Sequence, residues 1–356
     1  FLNQFDFDYE FISSTERYKS GYFDSFLLKI LENYESIIEI ILPTLRKDRR
    51  ESYSPFLPIC KQSGKVLEVG ITIISKENGI IAYKDSRNKT VETTVTKGNC
   101  KLQWKVDWSM RWSALDINYE MNGKDLIPSF ELSKQIAKFI NKKVPVNMPY
   151  ELFLDQNGEK ISKSKGNGLS IDEWLKYGTK ESLAYFMYVH PRRAKRLYFD
   201  CIPKSMDDYK KNYDNLSKEE VSKIDNAIWH IHEGNIPDSV YPIEFSALIN
   251  LVTALNTSDT ETIYNFCLLY NKKQLRDQEK DELKKIIKLA INYFQKFILP
   301  KLKKRSPKQN EKIAILNLIK EINSHKSELD AEEYQKLIYK YGKEVYPENL
   351  RSWFIS

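Results

Sequence analysis

Cysteine is scarce: Cys60, Cys100, Cys201 and Cys267 are the only four in 356 residues, and they lie far apart with no CxxC pair among them. That spacing provides neither a disulfide framework nor a zinc site, and reduced, buried thiols are expected. No apolar run reaches the roughly 18 residues that a bilayer-spanning helix needs, so no membrane partner is expected. The opening Phe1-Leu2-Asn3-Gln4-Phe5 lacks a basic segment followed by an apolar stretch, and a cytoplasmic location is expected. Histidine is equally rare, with four residues. His230 and His232 are two apart, which on a helix points them to different faces, and no third ligand is evident. A structural pair is expected there rather than a metal site. Internal repeats and low-complexity tracts are absent.

What is present is the ordinary material of a packed protein. Hydrophobic residues make up 41% and charged residues 29%, which excludes a disordered or collagen-like chain. The length calls for two or three domains. A formal net charge of +7 favours approach to a polyanion, a property shared with many proteins that never meet RNA.

Along the chain, Phe5 to Phe11 alternates apolar and polar as a strand would, with no turn or cap before it, so the chain is expected to start inside a domain. After Gly21, the positions Phe23, Phe26, Leu27, Ile30, Leu31, Tyr34, Ile38 and Ile41 recur at three and four, predicting one helix ended by Pro43. Residues 55 to 120 read as sheet-forming, with short β-type runs at Val66–Val69, Ile71–Ile74, Val91–Val95 and Lys101–Val106 between Gly64, Gly79 and Gly98. A helix with Leu132, Ile136, Phe139 and Ile140 on one face follows. Then come a strand at Tyr150–Leu154 and a turn at Asn157-Gly158, an α/β order. Beyond about residue 205 only helical periodicity remains, as in Leu283, Ile286, Ile287, Ala290 and Phe294. The basic run from Lys301 to Lys308 reads as a solvated connection, with RNA phosphate contact as the other reading.

The chemistry-bearing segment is Lys160-Ile161-Ser162-Lys163-Ser164-Lys165-Gly166-Asn167-Gly168, where two hydroxyls interleave with three ammonium groups on a glycine-bounded loop. Such ammonium groups can stabilise the charge that develops on a departing pyrophosphate. The loop resembles the "KMSKS" signature of class I aminoacyl-tRNA synthetases, with Ile161 keeping an apolar anchor where that signature has Met. The following Gly168 to Leu175 and Pro191 to Phe199 resemble class I lysyl-tRNA synthetases in particular. So do Tyr9-Glu10-Phe11, Tyr53 to Pro58, Gln103 to Trp112 and Gly123-Lys124-Asp125.

The resemblance implies an incomplete Rossmann-type α/β catalytic domain with an inserted connective region over residues 1–150. It implies the signature loop and stem-contact region over 151–205, and an all-α anticodon-binding region over 206–356. Lys163 would contact ATP phosphates, and Lys160, Ser162 and Ser164 would hold the loop against the nucleotide. Trp104, Asp107 and Trp108 would hold the lysine substrate, its ammonium over an indole face with a carboxylate nearby. The other reading of Trp104, Trp108 and Trp112, spaced by four, is core on one element, with Arg111 paired to a nearby acid. Arg192, Arg193, Lys195 and Arg196 would meet the tRNA near its acceptor end, and Arg351, Trp353 and Phe354 its anticodon loop.

The implied substrates and partners are ATP with Mg2+, L-lysine and tRNA(Lys). No zinc is expected, because Cys60 lacks the partner cysteines some family members carry. Two departures stand out: Leu126 occupies a position where an imidazole is expected, and the glycine- and histidine-containing "HIGH" signature is nowhere in the sequence. The expectation is therefore a chain lacking its N-terminal half and a short C-terminal end, with a separate chain as one source of that half. Two other readings stay open: a non-catalytic tRNA-binding remnant, and a class I synthetase for another amino acid such as glutamate or arginine.

Overall fold

The computed structural model describes residues 2–141, 143–162, 165–216, 225–270, 274–302, 306–325 and 329–355. They form two compact units, Phe1–Ser246 with Asp277–Glu282, and Ala247–Arg276 with Leu283–Ser356.

The first unit begins with helices α1 (Ser14–Lys19), α2 (Asp24–Glu32), α3 (Tyr34–Ile41) and the single turn α4 (Lys47–Arg50). The one helix expected over residues 23–41 is two. At Asn33 the side-chain amide donates to the Lys29 carbonyl at 2.9 Å, offering the backbone a partner that competes with the helix. The break resets the helical phase, so that Ile37, at 0% exposure, takes the core position expected of Ile38. Residues 5–11 form no strand; Leu2–Phe5 is a 3-10 turn and the remainder is irregular, because no other described segment pairs with it.

Strands β1 (Phe56–Pro58) and β5 (Cys100–Leu102) pair antiparallel and enclose the antiparallel meander β2 (Ile71–Ser75), β3 (Ile80–Lys84) and β4 (Thr90–Thr94). The central strand β3 was invisible to alternation, since Ile81, Ala82 and Tyr83 are all buried. Val66–Val69 yields only one bridge, Ile59 to Val66. The β2–β3 turn needs Gly79, whose φ is +66° and where a Cβ would lie 2.6 Å from the Leu28 side chain.

The run Lys101–Val106 divides: the strand stops at Leu102, and α5 (Trp104–Ala114) starts at once. Helix α6 (Ile127–Ile140), with Pro128 in its first turn where no backbone donor is needed, packs along α5. The two contribute Val106, Met110, Leu132, Ile136 and Ile140 to one core with Phe23, Leu27, Ile30, Ile37 and Ile41.

Helix α6 also carries the chain from β6 (Tyr119–Gly123) to the parallel strand β7 (Val146–Tyr150), a crossover that parallel pairing requires. A second parallel pair, β8 (Phe153–Leu154) with β9 (Lys195–Arg196), is bridged by α7 (Ile171–Trp174) and α8 (Lys180–Tyr188). The unit is mixed α/β, and no larger parallel sheet forms among the described residues. Helices α9 (Cys201–Leu216) and α10 (Ala227–Ile231) follow. There His232 Nε2 lies 2.9 Å from the Tyr209 hydroxyl, while the His230 ring stacks on Tyr188.

From residue 245 onward every described element is a helix: α11 (Phe245–Leu255), α12 (Thr260–Tyr270), α13 (Asp277–Tyr293), α14 (Gln309–Ser324), α15 (Ala331–Val345) and α16 (Arg351–Ile355). Helix α15 opens with a capping box, in which Asp330 accepts from the Glu333 amide at 2.8 Å and Glu333 accepts from the Asp330 amide at 2.9 Å. Glu321 ties α14 to α15 by accepting from Lys340 at 2.9 Å and from the Tyr341 hydroxyl at 2.5 Å. No described helix is long and apolar enough to cross a membrane. Part of the basic run expected at 301–308, Lys303–Arg305, lies outside the described residues.

Ile136 is fully buried where α6 meets α5, so Ile136→Ala is expected to lower the unfolding free energy by about 2–5 kcal/mol. Leu269→Ala, at an 82% exposed position, is expected to change it by less than about 0.5 kcal/mol. Urea unfolding followed by circular dichroism checks both.

Candidate functional site

The cationic loop grows from β8. Leu154 pairs antiparallel with Lys160, the Ile161 amide donates to the Phe153 carbonyl at 3.1 Å, and Gly158 with φ +80° makes the turn between them. The Asp155 carboxylate, 6% exposed, organises that turn: Oδ1 accepts from the amides of Asn157 and Glu159, each at 2.9 Å. Its Oδ2 accepts from the Asn167 side-chain amide at 2.7 Å, and Asn167 Oδ1 accepts from the Ser162 amide at 2.9 Å. One carboxylate and one carboxamide thus tie the ascending arm of the loop, at Ser162, to the descending arm, at Asn167. Hydrogen bonds to its charged form, from Asn167 first and then the Glu159 amide, hold the Asp155 carboxyl below the usual carboxylate range. Lys163 and Ser164 lie outside the described residues.

Beyond the loop, Ser170 caps α7 by accepting from the Glu173 amide at 3.2 Å, and Glu173 returns the bond to the Ser170 amide at 2.9 Å. Trp174 then buries completely, its indole N–H on Ser182 Oγ at 3.2 Å.

Both loop arms face a hollow of about 310 Å³ at the carboxyl ends of β6 and β7. Open α/β sheets present their ligand crevices at such strand ends. Gly123, Leu126, Tyr150, Ile161 and Leu169 give it apolar walls, and Asp125, Glu151 and Lys160 rim it. Lys160 Nζ is 3.3 Å from Asp125, Lys124 Nζ 2.7 Å from Glu151, and Lys165 Nζ 2.9 Å from Glu159. The Lys160 and Asp125 side chains are 56% and 52% exposed, so their attraction is worth at most about 1 kcal/mol. Pairs this weak leave the ammonium groups available to a stronger anion.

Leu126 connects the hollow to the tryptophans, because it lines the former and packs on the cluster of Trp108, Trp112 and Phe130. Trp104, 42% exposed, stacks on Trp108 with centroids 4.6 Å apart, and the Trp112 indole N–H donates to Glu120 at 2.9 Å. Asp107 is buried at 6% exposure. It accepts from the Tyr18 hydroxyl at 2.5 Å and faces Arg111 Nε at 3.0 Å. Burial, and then the negative charge of Asp107, push the Tyr18 hydroxyl far above its ordinary pKa and keep it a donor. The arrangement has a wet face, Trp104, and a dry one, where Asp107 holds together α1 and α5.

Residues 1–235 match the family "tRNA synthetases class I (K)". A lysine--tRNA ligase of Rickettsia bellii (strain OSU 85-389) is 44% identical over 358 residues, which cover 99% of this chain and 68% of the relative. A lysine--tRNA ligase of Rickettsia felis (strain ATCC VR-1525 / URRWXCal2) is 43% identical with the same coverage. The chain belongs to the class I lysyl-tRNA synthetase family. A class I lysyl-tRNA synthetase chain is an aminoacyl-tRNA ligase chain, and the glutamate and arginine readings that the loop alone left open carry no support from these relatives.

Among the basic residues expected to meet RNA in this lysyl-tRNA synthetase family member, Arg192 and Arg193 are exposed and form no ion pair among the described residues. Arg196 pairs with Asp200. Lys195 is half-buried: its ammonium donates to the Phe186 carbonyl and, at 2.5 Å, to that of Val189, and it lies 4.9 Å from the Phe186 ring centre. Burial lowers its pKa below the ordinary lysine value. Lys195 thereby satisfies the carbonyls left open at the end of α8. Asp125, Glu151, Asp155 and Asn167 escaped the sequence reading. Asp155 had a signal, as the first residue of an Asp-x-Asn-Gly turn, whereas Asn167 had none.

Lys195→Gln is expected to destabilise the protein by about 1–2 kcal/mol through the lost helix-end cation, and Arg193→Ala to leave stability within about 0.5 kcal/mol, both read by thermal unfolding. Because the folded Asp155 pKa is lowered, its stabilisation is complete above the ordinary carboxylate range and is lost only as pH falls through the lowered value. Amide-exchange protection at Asn157 and Glu159 should therefore hold constant from pH 7 to about 4 and decline only at more acid pH, as checked by NMR.

Proposed function

We propose a division of labour for lysine–tRNA ligation by this chain. The hollow at the ends of β6 and β7 takes the base of ATP against Leu126, Tyr150 and Ile161. The loop from Lys160 to Lys165 takes the phosphates, with Lys163 as the principal contact and Lys160, Ser162 and Ser164 supporting it. Mg2+ enters with the nucleotide as part of the substrate. Trp104 and Trp108, next to the hollow through Leu126, hold the lysine substrate over an indole face. Asp107 keeps those rings in register from the buried side and contributes its negative charge.

The observation that carries this reading is the placement of the two arms of the cationic loop against an apolar crevice at parallel strand ends, with Lys160 and Lys165 on weak, exposed partners. Lysine's carboxylate attacks the α-phosphorus of ATP, a P–O bond to pyrophosphate breaks, and lysyl-adenylate forms. A terminal ribose hydroxyl of tRNA(Lys) then attacks the carbonyl carbon, expelling AMP. Neither step requires a protein nucleophile; positioning and stabilisation of the pyrophosphate charge carry them. Arg192 and Arg193 contact backbone phosphates near the acceptor end, which orients the tRNA without reading its sequence. The helices beyond residue 206 engage the anticodon stem-loop, with Arg351, Trp353 and Phe354 as contacts. Phe354 is 55% exposed with its ring 5.5 Å from Tyr339, a surface on which an unstacked base can rest.

Lysine-dependent ATP–pyrophosphate exchange tests the assignment. Lys163→Ala is expected to lower kcat by about 10²- to 10³-fold and Lys160→Ala by less, with the lysine KM nearly unchanged. Arg192→Ala with Arg193→Ala is expected to leave exchange intact and to raise the tRNA KM in aminoacylation. Exchange at the unaltered rate in Lys163→Ala would remove the loop from the reaction, and no lysine-dependent exchange by the unaltered chain would favour a tRNA-binding role alone.

A further inference from the structure

We propose that Asp155 and Asn167 are positioning residues for adenylate formation, a latch that fixes the two arms of the cationic loop while touching no substrate. The inference rests on the assignment of that loop to ATP. Four hydrogen bonds converge on the pair, of which three are donated by backbone amides, those of Asn157, Glu159 and Ser162. The fourth, from Asn167 to Asp155, closes the ring between the arms at 2.7 Å.

The chemistry of the pair has a definite polarity. A carboxylate at 155 can only accept, and it does so from two amides and one carboxamide; the carboxamide at 167 donates with its nitrogen and accepts with its oxygen. Removal of the latch leaves the two arms joined, among the described residues, only by the turn in which the Lys165 and Gly166 amides donate to the Ser162 carbonyl, each at 3.2 Å, while the exposed ion pairs of Lys160 and Lys165 are too weak to hold a backbone. Glycines provide no substitute restraint: Gly158 and Gly166 both have positive φ, with open space around the position of a Cβ.

The polarity makes the proposal testable by exchange of the two residues. In Asp155→Asn the two carboxamides face one another, and whichever way Asn167 turns, one of the four bonds is lost. In Asn167→Asp two carboxylates are placed in contact. In the double variant, Asp155→Asn with Asn167→Asp, the carboxamide now at position 155 accepts from the same two amides and donates to the carboxylate now at position 167. That carboxylate accepts from the Ser162 amide, so all four bonds are re-formed with the one between the side chains reversed.

Two readouts are taken on the full chain. In pyrophosphate exchange, each single variant is expected to lose about 10- to 100-fold in kcat with the lysine KM within about twofold, and the double variant to recover most of that loss. In limited trypsin digestion, cleavage after Lys160 and Lys165 is expected to accelerate in the single variants and to return to the original rate in the double variant. A double variant as impaired as the single ones, or single variants with unchanged kcat, would overturn the proposal. If the double variant regains protease resistance while Lys163→Ala still exchanges normally, the latch is supported and the assignment of the loop to ATP is the part that fails.

Discussion

A cation that is to meet a triphosphate must satisfy two opposed demands: its backbone has to be held in place, and its charge must not already be neutralised. The loop after β8 meets both by separating the two kinds of interaction. Its backbone is gripped by Asp155, a residue only 6% exposed, whose carboxylate accepts from the Asn157 and Glu159 amides. The ammonium groups of Lys160 and Lys165 rest on exposed carboxylates, Asp125 and Glu159, where water screens the attraction. Under the proposed assignment a phosphate chain, which carries more charge than either carboxylate, displaces them at little cost. Had the burial been reversed, with the lysines paired in the interior and Asp155 at the surface, the loop would be both locked and misplaced.

The rest of the first unit supports that arrangement through one helix pair. Helix α6 is at once a wall of the core, through Leu132, Ile136 and Ile140, and the crossover that makes β6 and β7 parallel. Parallel pairing brings Gly123 and Tyr150 to the same end of the sheet, which is what opens the hollow. Helix α5, packed beside it, has the aromatic cluster toward Leu126 and the Asp107–Tyr18 bond toward α1. Leu126 therefore joins the two features: it packs on the tryptophan cluster and lines the hollow, an apolar contact where an imidazole would have introduced a polar one.

What could be read from the residues follows a physical division. The loop was legible because its chemistry is local, with five consecutive residues stating the charge and the hydroxyls. The helical C-terminal region was legible because its periodicity is strong and uninterrupted. The buried strand β3 was not, since a strand covered on both faces shows no alternation. The single helix expected over residues 23–41 failed at Asn33, where one side-chain bond outweighed a continuous apolar stripe. The expected strand at residues 5–11 failed for a different reason: alternation describes a face, but a strand also needs a ladder, and no described segment supplies one. Asp155 and Asn167 are twelve positions apart, and nothing in local sequence says that they meet.

The basic residues show why counting charge misleads about RNA contact. Arg192, Arg193, Lys195 and Arg196 form one cluster in sequence, yet their surroundings divide them. Lys195 is spent on the carbonyls that end α8, where its aliphatic stem lies against Phe186 while the ammonium satisfies part-buried acceptors. Arg196 is held by Asp200. The two arginines on the turn between α8 and β9 are exposed and form no ion pair among the described residues, and a planar fork of donors in solvent is what a phosphate diester can engage on two oxygens at once. The count of 56 lysines and arginines thus overstates the cationic surface, since some serve helix ends or pair with acids. The tRNA-facing surface is better identified by asking which cations the fold has not already used.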